Sequence, residues 1–158
     1  MDYEALYKKV YDILENSTPL TADCGLVCDK NCCKGDSKTG MLLFPHEKTT
    51  LEVTQENGRR LAVCTGSCNR MERPLSCRIF PFFPSITEKG IEVVPDWRGV
   101  YSCPLISHKD EIIFDSKFLK NIKAVGKILS EDKEIFSFMK EITEDIKNEK
   151  KLYDLFRK

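Results

Sequence analysis

The sequence predicts an α+β fold: one small domain over residues 1–158, helix-rich at both ends, with irregular cysteine-rich metal-binding loops in the middle. Three observations predict it. Apolar residues recur at helical spacing near both ends of the chain. The middle offers only short apolar runs, broken by proline and glycine. All eight cysteines fall in that middle, between Cys24 and Cys103. At 158 residues the chain is long enough to bury a core.

Residues 2–16 carry Tyr3, Leu6, Tyr7, Val10, Ile13 and Leu14 on one helical face, with Glu4, Lys8, Asp12 and Glu15 opposite. Pro19 closes this segment, because the residue before a proline is pushed away from helical dihedrals. The first cysteine group occupies about 20–36, bracketed by Gly25 and Gly35. Cys24, Cys28 and Cys32 lie at i, i+4 and i+8, which suits one helix face or a loop that turns its amides toward sulfur. Met41–Phe44 reads as a buried strand. Pro45 then predicts a helix to about Asn57, stopped by Gly58, although Leu51–Thr54 also alternates as a strand would. Residues 73–84 hold Pro74, Pro81 and Pro84 and read as a rigid loop. After a turn at Lys89-Gly90, Ile91–Val94 is the clearest strand.

The C-terminal helices are expected over about 115–156. Phe118, Leu119, Ile122, Val125, Ile128 and Leu129 form one stripe; Ile135, Met139, Ile142 and Ile146 form the next. Ser130 is the expected cap of the second helix, with Glu131 and Asp132 in its first turn. The charged residues of 140–151 read as a solvated face.

Lys+Arg and Asp+Glu both number 25, so the formal net charge is zero. That balance supplies no attraction for nucleic acid or an acidic membrane surface. No run approaches the roughly 20 apolar residues of a membrane helix. The opening Met-Asp-Tyr-Glu lacks the basic start of a secretory signal, which predicts a cytoplasmic protein. Thiols there are kept reduced, so clustered cysteines read as metal ligands or redox groups rather than disulfides.

The candidate ligands are Cys24, Cys28, Cys33 and Cys77, followed by Cys32, Cys68, Cys64 and Cys103. Thiolates bind zinc, copper(I) and the iron of iron–sulfur clusters. Four ligands make a tetrahedral site, so eight cysteines supply one site or two. The close pairs 24/28, 28/32 and 64/68 are all Cys-x3-Cys, unlike the Cys-x2-Cys pairs of zinc ribbons. Arg73 and Arg78 flank Cys77 and are candidates to offset the charge of bound thiolates and to donate to sulfur. His46 and His108 are the only partners for a thiol nucleophile, and both read as surface residues. The aromatic residues Phe80, Phe82, Phe83, Trp97 and Tyr101 read as core first and as pocket walls second.

The run Cys24…Cys28…Cys32-Cys33, followed by Cys68-x4-Arg73-Pro74-x2-Cys77-Arg78-x-Phe80-Pro81, resembles the YkgJ-type cysteine-cluster family. That family is described by a CxxCxxCC signature and by zinc or iron chelation. The Arg-Pro-x-x-Cys-Arg-x-Phe-Pro half is the close match; the first half has three-residue spacings where the signature has two. The motif region is about 24–84, and the C-terminal helices lie outside it. The resemblance implies a zinc- or iron–sulfur-binding protein of undefined activity. Two alternatives stand beside it: an iron–sulfur redox or methyltransferase-associated enzyme, and a metal-stabilised adaptor module with a protein partner.

Overall fold

The computed structural model describes residues 2–15, 40–63, 72–100, 106 and 114–156. Helix α1 spans Tyr3–Leu14. The Asp2 carboxylate starts it by accepting the Ala5 N–H at 3.1 Å, an amide with no partner in the first turn. Tyr7, Val10 and Leu14 are its buried positions, three and four residues apart, as the periodicity predicts.

Strands β1 (Gly40–Leu42), β2 (Val53–Glu56) and β3 (Arg59–Val63) form an antiparallel sheet in the order β1-β3-β2. The helix expected from Pro45 to Asn57 does not form, and two turns explain why. Pro45 and His46 are the central residues of a turn closed by the Glu47 N–H on the Phe44 carbonyl at 3.0 Å, with His46 at φ 64°. Proline first and positive φ second is the type II pattern. Asn57 and Gly58 both take positive φ, 53° and 77°, and join β2 to β3. Such a pair makes the tight turn whose twist matches a hairpin. Gly58 is therefore a hairpin residue and not a helix stop.

The segment 73–84 is more regular than its prolines suggest. Helix α2 spans Leu75–Ile79 and strand β4 spans Phe82–Thr87. Pro74 precedes the helix, where its missing N–H removes no intrahelical bond. Pro84 lies in a two-stranded sheet, in which each strand keeps an edge free of the ladder. The Phe80–Pro81 peptide is cis. Strand β5 (Gly90–Pro95) contains the predicted Ile91–Val94 strand, and it pairs antiparallel with β4. A 3-10 turn at Trp97–Gly99 follows, opened by the Asp96 carboxylate.

Helix α3 (Ser116–Leu129) and helix α4 (Lys133–Phe156) complete the described fold. The expected Ser130 cap is corrected. Ser130 ends α3: its N–H bonds the Gly126 carbonyl at 3.0 Å and its hydroxyl the Lys127 carbonyl at 2.9 Å. Asp132 caps α4 by accepting the Glu134 and Ile135 amides, both at 3.0 Å. A carboxylate that reaches both amides completes the first turn of α4, while Ser130 is already held by α3.

Helices α3 and α4 pack on β4, and α1 packs on α3. The shared core includes Phe44, Leu75, Ile79, Phe83, Phe118, Ile122, Ile135 and Met139. Phe82, Phe83 and Trp97 are buried in it, so these aromatics serve packing. Tyr101 and His108 lie outside the described residues. Helices plus small antiparallel sheets make this an α+β fold. Among the described residues no helix is long and apolar enough to cross a membrane.

Candidate metal centre

Of the eight predicted ligands, Cys77 lies within the described residues; Cys24, Cys28, Cys32, Cys33, Cys64, Cys68 and Cys103 lie outside them. The irregular cysteine loops predicted for the middle of the chain fall largely outside them as well. Cys77 is half-buried in α2, with its N–H on the Pro74 carbonyl at 3.0 Å. Arg73 and Arg78 stand on either side of it, both half-buried. The Arg78 Nε donates to the Arg73 carbonyl at 2.7 Å, and its guanidinium lies 4.3 Å from the centre of the Tyr11 ring. That cation–π contact ties the Cys77 turn to α1.

The described ends of the cysteine-bearing segments are linked around α2. The chain leaves α1 toward the first cysteine group, and α1 packs on α2. It returns at Gly40, which pairs directly with Val63, the last residue before Cys64. Return and departure therefore share one end of the sheet. Strand β1 is in turn joined to α2, because the Ser76 hydroxyl donates to the Leu42 carbonyl at 2.6 Å. The departure toward Cys103 is close as well. A Cβ placed on Gly99 would sit 2.5 Å from the Phe80 ring and 3.5 Å from Ile106, and Phe80 is the residue that ends α2.

A buried carboxylate lies within this frame. Glu47 is fully enclosed. Its Oε1 accepts the Phe44 N–H at 3.0 Å; its Oε2 accepts the Leu75 N–H at 2.7 Å and the Tyr11 hydroxyl. The Arg60 guanidinium donates to the Glu47 and Phe44 carbonyls at 2.8 and 2.7 Å. Burial pushes the Glu47 carboxyl above its ordinary value, opposed by the Tyr11 hydroxyl, the two amides and the Arg60 charge. Burial also raises the Tyr11 hydroxyl, reinforced by the Glu47 charge. Sequence reading did not single out Glu47, Tyr11 or Arg60. The one signal is a glutamate two residues after a proline, in a segment whose sequence predicts a helix.

Beside the frame, a cavity of about 410 Å³ runs along α1, lined by Tyr3, Tyr7, Tyr11, His46, Lys48 and Arg78 among others. Its tyrosine hydroxyls are turned to the protein: Tyr3 donates to Asp132, Tyr7 to the Pro45 carbonyl and Tyr11 to Glu47. His46 stacks on Tyr3 at 4.0 Å and bonds Glu134, consistent with a surface histidine. Lys8, Lys48 and Arg78 balance Glu4, Asp12 and Glu15, so the lining selects no charge.

Among the described residues no group of three or more His, Cys, Asp and Glu side chains is placed to hold a metal ion. No family model, no curated protein and no solved structure matches the chain. The resemblance to the YkgJ-type family therefore rests on its quoted residues.

Proposed function

We propose that this chain binds zinc or an iron–sulfur cluster through cysteines drawn from both groups, with Cys77 among the ligands. One observation carries the reading: the described ends of the cysteine-bearing segments are linked around the short helix that holds Cys77. Tethering loops at neighbouring points lowers the entropy of bringing their ligands together.

The described part of the donor set fits such a group. Cys77 offers a half-buried thiol on a fixed turn, the soft donor that zinc and iron–sulfur iron take. Arg73 and Arg78 flank it in sequence as candidate counter-charges; four thiolates on Zn2+ leave a formal charge of about −2. Cys24, Cys28 and Cys33 complete the first-ranked ligand set, with Cys32, Cys68, Cys64 and Cys103 after them. Zinc supplies structural cross-linking, and an iron–sulfur cluster supplies electron transfer. Phe82, Phe83 and Trp97, three of the five aromatic residues an enzyme reading calls on for a pocket, are buried in the core.

The test is metal analysis with an ultraviolet–visible spectrum, on protein purified without oxygen. Iron with acid-labile sulfide and a band near about 400 nm identifies a cluster; stoichiometric zinc without colour identifies a structural site. Cys77→Ser should lose metal in either case. Unchanged metal content in a folded Cys77→Ser variant overturns the proposal.

A further inference from the structure

Glu47 is no ligand in that proposal, and its contacts do not read as ordinary packing. They reach α1 through Tyr11, α2 through Leu75 and β3 through Arg60, while Phe44 belongs to Glu47's own turn just after β1; each of these places leads to a cysteine-bearing segment. Tyr11 lies four residues before α1 is left at Glu15. Phe44 follows β1, the return from the first cysteine group. Leu75 opens α2, two residues before Cys77. Arg60 holds the carbonyl of Glu47 itself, three residues before β3 ends at Val63.

We infer that Glu47 is a positioning residue: one buried carboxylate that fixes the exits of the cysteine segments before metal arrives, and thereby sets metal affinity. The inference rests on Cys77 being a ligand. The physical reason is preorganisation. A ligand on a mobile backbone loses conformational freedom when metal binds, and that loss weakens binding. A turn already held at Leu75 by Glu47 and at Ser76 by Leu42 has lost that freedom on folding. A carboxylate suits the task because three donors converge on its two oxygens.

Two measurements test this, with zinc(II) alone as the probe. The first is amide hydrogen exchange on metal-free wild-type protein. The Leu75 amide should be protected as strongly as the core amides of α3. Free exchange at Leu75 that becomes protected only after zinc is added overturns the inference. The second is zinc affinity by competition with a chromogenic chelator. Glu47→Gln, with its helical circular dichroism intact, should bind zinc about 10-fold more weakly, the scale of one buried hydrogen-bonding group left unsatisfied. Cys77→Ser serves as comparator. If Cys77→Ser binds zinc like wild type, the ligand assignment itself is wrong. If Cys77→Ser loses zinc while folded Glu47→Gln keeps wild-type affinity, the positioning role alone is wrong. Should Glu47→Gln fail to fold, the exchange experiment decides.

Discussion

Glu47 and Asp132 are both carboxylates, and their surroundings give them opposite pH behaviour. Asp132 sits at the start of α4, where the Ile135 amide, the Tyr3 hydroxyl and the Glu134 amide favour its charged form and hold its carboxyl below the ordinary value of 3.8. Its contribution is present above that value and is lost as pH falls through the depressed one. Glu47 is shifted the other way, chiefly by burial, from an ordinary value of 4.5. Its contribution is complete below 4.5 and is lost as pH rises through the raised value. Thermal melting across pH should show both. Asp132→Ala should lower stability by about 1 kcal/mol near neutral pH, the usual worth of an N-cap. Glu47→Gln should flatten the decline in melting temperature as pH rises above 4.5. A decline of wild-type steepness in Glu47→Gln would assign it to another group.

At the scale of elements, two glycines decide geometry for different reasons. Gly58 has open space around a would-be Cβ but sits at φ 77°, so only its backbone is at issue. Gly58→Ala should destabilise by about 1 kcal/mol through left-handed strain, with the hairpin intact by circular dichroism. Gly126 lies in α3, and a Cβ there would meet Pro84 at 2.6 Å and Ile91 at 2.9 Å. Gly126→Ala should cost about 1–3 kcal/mol through overpacking between helix and sheet, despite alanine's better helix propensity. Chemical denaturation measures both, and a more stable Gly126→Ala protein would show that α3 and β4–β5 separate easily. In the β2–β3 hairpin two sequence signals compete. Pro45 and Gly58 read as the two ends of a helix. The stronger signal was Asn57-Gly58 after the alternation of Leu51–Thr54, a hairpin turn with a strand leading into it.

At the scale of the molecule, the hydrophobic core joins α1, α2, β4, α3 and α4 around Phe83, Phe118 and Ile122. Its side chains touch one another across these elements. Removing bound metal with a chelator should therefore leave the helical circular dichroism near its starting value. Cooperative unfolding on chelation would instead favour the metal-stabilised adaptor, in which binding energy is folding energy.

By itself the sequence determined the two ends of the fold, because apolar spacing in α1, α3 and α4 is local and amphipathic helices bury the face it marks. It determined β5 for the same reason, with a two-residue turn before it. It also singled out Cys77 and its flanking arginines by chemistry. Tertiary structure decided the middle. Pro74 and Pro84 fit regular elements because one precedes a helix and the other lies on a sheet edge, which no local window reveals. Glu47 has no sequence signature beyond the proline two residues before it. A carboxylate is driven inside only where enough donors meet it, and besides the local Phe44 amide, Tyr11 and Leu75 reach Glu47 only once the chain has folded.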